Sequence, residues 1–185
     1  MKIKDEIFIY PTDTLYGLCA SAFSKKAVER IYTIKGRDEN KPFIILIASL
    51  NDLKKFHIVL SKEQKIFLQK VWPGKVSVIL PVPQKKFEYL HRGKKSLAFR
   101  LPKKKLLLDL IQNVGPLVAP SANPQGGKPA ETIKEAKKYF GGNVDFYISG
   151  GKLQSKPSTI ISLVTKEPKI LREGSMQVRF DKLKI

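Results

Sequence analysis

The sequence predicts a mixed α/β domain of the α+β kind, in which helices and strands interleave without the strict alternation of a doubly wound sheet. Two observations carry this. Short apolar runs bounded by turn residues recur along the chain, and between them lie segments whose apolar residues repeat every 3.6 positions behind capping residues.

Glu6 to Tyr10 reads as a first strand, broken by Pro11. Ser24 can cap a helix that carries Ala27, Val28, Ile31 and Ile34 on one face and stops near Gly36. Phe43 to Ala48 is a continuous apolar run, suited to a strand covered on both faces. Asn51 to Phe56 reads as a short helix. Ser61 and Gln64 form a capping-box pattern before Ile66, Phe67, Leu68 and Val71, a helix that Pro73-Gly74 ends. Val76 to Pro81, Leu97 to Leu101 and Pro116 to Ala119 read as strands, with a helix from Leu106 to Gln112 before the last of them. Thr132 and Glu135 form a second capping-box pattern, opening a helix to Phe140 that Gly141-Gly142 terminates. Asp145 to Ile148, Thr159 to Val164 and Lys169 to Leu171 complete the strands.

A length of 185 residues predicts one domain, spanning 1–185, with enough chain for a core of its own. Apolar residues at 42% and charged residues at 28% are a globular composition and argue against disorder. The longest apolar run falls far short of the roughly 20 residues a membrane helix needs, and Ile7-Phe8-Ile9-Tyr10 is too short for a signal-peptide core. A cytoplasmic protein with no membrane partner is expected. The single Cys19 excludes an internal disulfide and fits a reducing compartment. The net charge is +19, from 35 Lys and Arg against 16 Asp and Glu, a field that favours RNA or anionic nucleotides. Lys94-Lys95, Lys103-Lys104-Lys105 and Lys137-Lys138 fall where exposed turns and helix faces are expected, so solvated surface is the plainer reading of those runs.

Several chemistries are excluded. The chain contains neither a Gly-x-x-x-x-Gly-Lys-Ser/Thr string nor a Gly-x-Gly-x-x-Gly string, the P-loop and dinucleotide fingerprints. His57 and His91 are far apart, and one cysteine cannot build a zinc site with them. Proteolysis, esterase chemistry and zinc hydrolysis are therefore not expected. Two polar clusters remain. Lys35-Gly36-Arg37 ends a helix, and two cations at i, i+2 can face one anion from both sides. Ser121-Ala122-Asn123 follows a strand and supplies a hydroxyl and an amide at a turn. Together they read as a phosphate site made without a P-loop. Each also has a plainer explanation: a helix C-terminus favours cations through its dipole, and Asn123-Pro124 favours a turn by itself.

The frame around these clusters resembles a known family. In order along the chain stand Pro11-Thr12-Asp13-Thr14-Leu15-Tyr16-Gly17-Leu18, Lys35-Gly36-Arg37, Trp72-Pro73-Gly74, Ala98-Phe99-Arg100-Leu101-Pro102, Ala119-Pro120-Ser121-Ala122-Asn123, Pro157-Ser158-Thr159-Ile160-Ile161 and Leu171-Arg172-Glu173-Gly174. This series looks like the YrdC/Sua5 family, the threonylcarbamoyl-AMP synthases, from about Ile7 to Ser175.

The resemblance implies a twisted open mixed sheet flanked by helices, with a basic concave face, in a short form lacking the C-terminal Sua5 domain. It implies a nucleotidyltransferase that condenses L-threonine, bicarbonate and ATP, with Mg²⁺, into L-threonylcarbamoyladenylate and pyrophosphate, for threonylcarbamoyladenosine modification of tRNA. Lys35 and Arg37 would be the catalytic cations on the triphosphate, joined at the nucleotide by Ser121, Asn123 and Arg172. Thr12, Arg100 and Ser158 would hold threonine, with Arg100 gripping its carboxylate; no protein-bound metal is implied. tRNA or double-stranded RNA and separate threonylcarbamoyl-transfer proteins would be the partners. The alternatives are a non-catalytic RNA-binding protein on the same fold and a related carbamoylating enzyme. Three positions depart from the family pattern: Leu46 where the two-domain branch has His, Glu173 where Pro is common, and Asp13 where Glu is usual.

Overall fold

The computed structural model describes residues 3–180. The strands are β1 (Phe8–Pro11), β2 (Tyr16–Ser21), β3 (Ile44–Leu46), β4 (Val76–Pro81), β5 (Ser96–Arg100), β6 (Leu117–Val118), β7 (Phe146–Tyr147), β8 (Thr159–Ser162) and β9 (Lys169–Arg172). The α-helices are α1 (Lys25–Lys35), α2 (Lys62–Val71), α3 (Glu88–His91), α4 (Lys105–Val114) and α5 (Ile133–Phe140), and a 3₁₀ stretch covers Leu50–Phe56. All the strands join one mixed sheet in the order β7-β1-β2-β6-β3-β5-β4-β8-β9. The β1/β7, β3/β5 and β4/β8 pairs are parallel and the remaining neighbours antiparallel. No helix among the described residues is long and apolar enough to cross a membrane.

Alternation along the strands divides the apolar residues between two faces. Ile9, Leu18, Ala20, Ile45, Val78, Phe99, Val118 and Ile161 enter the larger cluster, which the buried sides of α1, α2, α3 and α5 complete. Phe8, Cys19, Leu46 and Leu117 point the other way, onto Leu107 and Ile111 of α4. One short helix cannot cover this second face. Beyond α4, on β3, β5, β4 and β8, it carries Ile44, Ser96, Ala98, Arg100, Ile79 and Ile160, which line a cleft of about 740 Å³.

The helix ends follow the sequence. Ser24 Oγ accepts the Ala27 N–H, and Ser61 with Gln64 forms a reciprocal capping box. Thr132 accepts the Glu135 N–H, but the Glu135 carboxylate takes the Glu131 N–H at 2.8 Å, so the second expected box is half formed. Gly36 closes α1 in the left-handed region at φ 58°, a conformation that costs a glycine little.

Four elements differ from expectation. Tyr16–Ser21 is a fully buried strand that the sequence does not announce, since Gly17, Ala20 and Ser21 are small and poor strand formers. Pro11 is the last residue of β1 rather than its breaker, because its missing N–H falls at the end of the ladder. Leu50–Phe56 winds as a 3₁₀ stretch capped by Ser49 and Asp52, and α3 is a single turn without periodicity to reveal it.

Candidate functional site

The cleft is built from loops at one end of the open half of the sheet. The β1–β2 turn contributes Thr12 and Thr14, the segment after α1 contributes Arg37 and Phe43, and β5 contributes Arg100. Ser121 comes from the loop after β6, and Ser158 and Arg172 from the β8–β9 side. Six residues expected at the site, Thr12, Arg37, Arg100, Ser121, Ser158 and Arg172, therefore line one cavity, drawn from segments up to the full length of the fold apart. Lys94, Lys128 and Lys156 stand at the same cleft.

The three arginines have different surroundings. Arg100 is buried at the end of β5; it pairs with the Asp13 carboxylate and donates Nη1–H to Thr14 Oγ1 at 3.1 Å. Its Nε–H is buried and has no partner among the described residues. Arg172 donates Nε–H and Nη2–H to the Ser158 carbonyl at 3.2 and 2.8 Å. Arg37 donates Nε–H to the Lys41 carbonyl at 3.1 Å and lies over the Phe43 ring, 5.3 Å from its centroid. Burial lowers the pKa of all three guanidinium groups, and Arg172 is lowered further by the charges of Arg100 and Arg37. Arg37 and Arg172 have no carboxylate ion-pair partner among the described residues. Arg37 is half-buried and Arg172 exposed, and charge that no carboxylate neutralises favours an anion beside it.

The hydroxyls are held by local turns. Thr12 Oγ1 donates to the Leu15 carbonyl at 2.6 Å and accepts the Thr14 and Leu15 N–H groups, so the plain hydroxyl turn after Pro11 is formed. Ser158 Oγ shares a 2.9 Å hydrogen bond with Ser77 Oγ. Ser121 Oγ donates to Asn123 Oδ1 at 2.6 Å.

Lys35 and Asn123 do not line the cleft. The left-handed Gly36 turns the chain between Lys35 and Arg37. Lys35 runs into the interior, 3% exposed, and its Nζ donates to the Ser121 carbonyl at 2.6 Å and to the Asn123 carbonyl. Burial, then the nearby Arg37 charge, pushes its pKa down to about 7. Asn123 Nδ2–H groups close the loop on the Pro124 and Gly127 carbonyls at 2.8 and 2.7 Å.

The sequence reading missed other members of the site. Asp13, noted there only as a departure from pattern, holds Arg100 and accepts the Lys103 N–H at 3.1 Å. Lys104, assigned to solvated surface, instead reaches the Pro11 and Thr12 carbonyls at 2.8 and 3.3 Å and fastens the β1–β2 turn. Lys94, in another lysine run assigned to surface, lines the cleft. The available signal was position: Asp13 adjoins Thr12, and Lys104 follows the strand that ends in Arg100.

The uncovered half of the mixed sheet thus gathers the buried Arg100, the more exposed Arg37 and Arg172, lysines and loop hydroxyls at one cationic cleft of an α/β protein. The chain belongs to the Sua5/YciO/YrdC family: the family model, described as Telomere recombination, matches residues 3–174. It is 32% identical over 175 residues to the threonylcarbamoyl-AMP synthase of Pyrococcus abyssi, covering 94% of this chain and 52% of that protein. The threonylcarbamoyl-AMP synthase of Methylobacillus flagellatus is 32% identical over 160 residues, covering 86% of this chain and 89% of that one. Among solved structures, E. coli YciO superposes with a TM-score of 0.84 at 26% identity, over 95% of this chain and 86% of that one. P. abyssi Sua5 complexed with L-threonine superposes with a TM-score of 0.83 at 32% identity, over 92% of this chain and 51% of that one. The chain spans about half the length of the P. abyssi and Bacillus subtilis relatives it matches.

Proposed function

We propose that the protein is an L-threonylcarbamoyladenylate synthase supplying the modification of tRNA. The observation that carries this reading is the convergence of Arg37, Arg100 and Arg172 on one cleft, with Asp13 balancing only Arg100. The reaction has little use for a side-chain nucleophile. The threonine amine adds to bicarbonate with loss of water to give a carbamate. A carbamate oxygen attacks the α-phosphorus of ATP, and pyrophosphate leaves. The protein must hold three anionic reactants together and meet the charge that develops on the leaving group.

In this reading Arg37 and Arg172, which have no carboxylate ion-pair partner among the described residues, take the triphosphate, with Ser121 beside them. Arg100 offers its unpartnered Nε edge to the threonine carboxylate, a planar donor suited to that group. Thr12 and Ser158 shape the amino-acid end of the cleft. Mg²⁺ enters on the phosphates, as it does where a protein offers no cage of its own; among the described residues no three His, Cys, Asp or Glu side chains gather to hold a metal. The product would pass in the cytoplasm to separate transfer proteins, and the net charge of +19 favours contact with tRNA or double-stranded RNA.

The test is pyrophosphate release with each component omitted in turn, and mass spectrometry of the product. Release is expected only when ATP, Mg²⁺, L-threonine and bicarbonate are all present. Steady turnover without threonine would identify a different enzyme, and RNA binding without any turnover would favour a non-catalytic RNA-binding protein.

A further inference from the structure

We propose that Tyr32 is a positioning residue for Arg37, acting from outside the cleft through the Phe43 ring and the Lys41 carbonyl. This inference rests on the synthase reading, in which Arg37 takes the triphosphate, and assigns a role within it. Tyr32 belongs to α1, is 3% exposed and does not line the cleft. The Arg37 side chain is held at two points, and Tyr32 touches both. Arg37 Nε–H donates to the Lys41 carbonyl at 3.1 Å, and the Tyr32 hydroxyl donates to the same oxygen at 3.2 Å. The Arg37 guanidinium lies over the Phe43 ring, 5.3 Å from its centroid. Tyr32 stacks on that ring, with centroids 4.0 Å apart and planes 26° from parallel. The Tyr32 carbonyl also accepts the Arg37 backbone N–H at 3.1 Å.

Tyr32 is itself fixed from behind. The Arg92 guanidinium lies over its ring, 4.1 Å from the centroid, and Arg92 Nη2–H donates to Glu29 Oε2 at 2.7 Å. Two groups this near one centroid cannot share a face, so the Tyr32 ring lies between Arg92 and Phe43. A chain of four side chains, Arg92, Tyr32, Phe43 and Arg37, thus ends at the cleft. An arginine gains from such backing, because its long side chain otherwise loses rotamer freedom when it binds. A ring under one face and an acceptor at the Nε edge orient the guanidinium and leave its Nη donors to a ligand. Arg100 has Asp13 to orient it, whereas Arg37 has no carboxylate ion-pair partner among the described residues. Its orientation therefore falls to the Lys41 carbonyl and Phe43, and through them to Tyr32.

The experiment is nitrogen-edited proton NMR of the labelled full chain, read at the arginine Nε–H groups, with pyrophosphate titration beside it. Arg37→Ala and Arg172→Ala assign the two peaks, each from an Nε–H bonded to a backbone carbonyl. In Tyr32→Leu the Arg37 Nε–H should exchange about tenfold faster, the loss of one hydrogen bond's protection, while the Arg172 peak stays as in the wild type. Tyr32→Phe keeps the ring and should recover part of the protection. Pyrophosphate affinity should fall about tenfold in Tyr32→Leu, and Tyr32→Leu should weaken it no further in an Arg37→Ala background. An unchanged Arg37 peak in Tyr32→Leu would overturn the proposal. So would equal loosening of the Arg172 peak, which marks a general loss of packing, or additive losses of pyrophosphate affinity. Should Tyr32→Leu fail to fold, Phe43→Leu cuts the same chain, and an Arg37 peak unmoved by it would overturn the proposal as well. None of these readouts requires turnover, so a wild type that releases no pyrophosphate from ATP would count against the synthase reading alone.

Discussion

Asp13→Asn is the most informative single change, because it removes a charge and almost no volume from the best-buried ion pair at the site. The Arg100 and Asp13 side chains are 5% and 8% exposed. Breaking a buried pair by removing one partner costs about 3–5 kcal/mol, since the other charge stays buried and uncompensated. Asparagine keeps one acceptor oxygen and Thr14 keeps its bond to Arg100 Nη1, so the lower end, about 3 kcal/mol, applies. For a chain of 185 residues each kcal/mol moves the melting temperature by about 2–4 °C, so a fall of about 6–12 °C is expected. Circular dichroism melts of wild type, Asp13→Asn, Arg100→Met and the double variant measure it. The double variant should recover much of the loss, since a buried pair exchanged for uncharged groups is often neutral. Asp13→Asn also leaves Arg100 as a third unneutralised cation in the cleft, so saturating pyrophosphate should raise its melting temperature more than it raises that of the wild type. A melt within about 2 °C of wild type would refute the assignment of Asp13 as the partner that makes a buried Arg100 tolerable.

Arg37→Ala should slow adenylation by roughly 10²–10³-fold, the loss typical of one preorganised donor at developing charge, with threonine binding little changed; single-turnover kinetics and threonine titration separate the two. Gly174→Ala should cost about 1–3 kcal/mol in urea unfolding, because a Cβ there would overlap the Pro157 carbonyl and the Ser158–Thr159 peptide; stability equal to wild type would show that the chain after β9 does not press on β8. Threonine should be preferred to serine by about 10–200-fold in kcat/KM, the range one methyl is worth in an apolar pocket. Equal values would mean that the cleft has no wall for the methyl group.

The larger units were legible because each announces itself locally. The Ser24 and Ser61 caps, the 3.6-residue apolar spacing of α1 and α2, and the β4 run are all explicit in the sequence, and the structure places them where expected. Most of the expected site residues come together for a different reason: the family motifs fix them, although nothing in the spacing of Thr12, Arg100 and Arg172 requires them to meet. The details that stayed hidden depend on neighbours distant in sequence. β2 is a strand because β1 and β6 pair with it on either side, and its small residues permit close packing rather than demand a strand. Lys104 is drawn from solvent by two carbonyls some ninety residues earlier. Lys35 and Arg37 share a motif, yet after the left-handed Gly36 Arg37 lines the cleft while Lys35 is buried on the Ser121 and Asn123 carbonyls, a distinction no pattern of residue types contains.

The same period-two alternation explains how one sheet serves both stability and binding. In β5, Leu97 and Phe99 are wholly buried in the main core, while Ser96, Ala98 and Arg100 between them line the cleft. In β4, Val76, Val78 and Leu80 take the core side and Ile79 the cleft side. Side chains on the core side carry the burial that holds the fold, so the cleft side is free to carry small residues that leave volume and a buried arginine that would be costly elsewhere. The expense is concentrated at Arg100, which Asp13 neutralises, whereas Arg37 and Arg172 hold backbone carbonyls and have no carboxylate ion-pair partner among the described residues. α4 covers the other half of that face with Leu107 and Ile111 and stops short of β5, β4 and β8. An anion entering there would meet guanidinium groups that backbone carbonyls and Asp13 already orient, and so would give up little of its attraction to reorganising them.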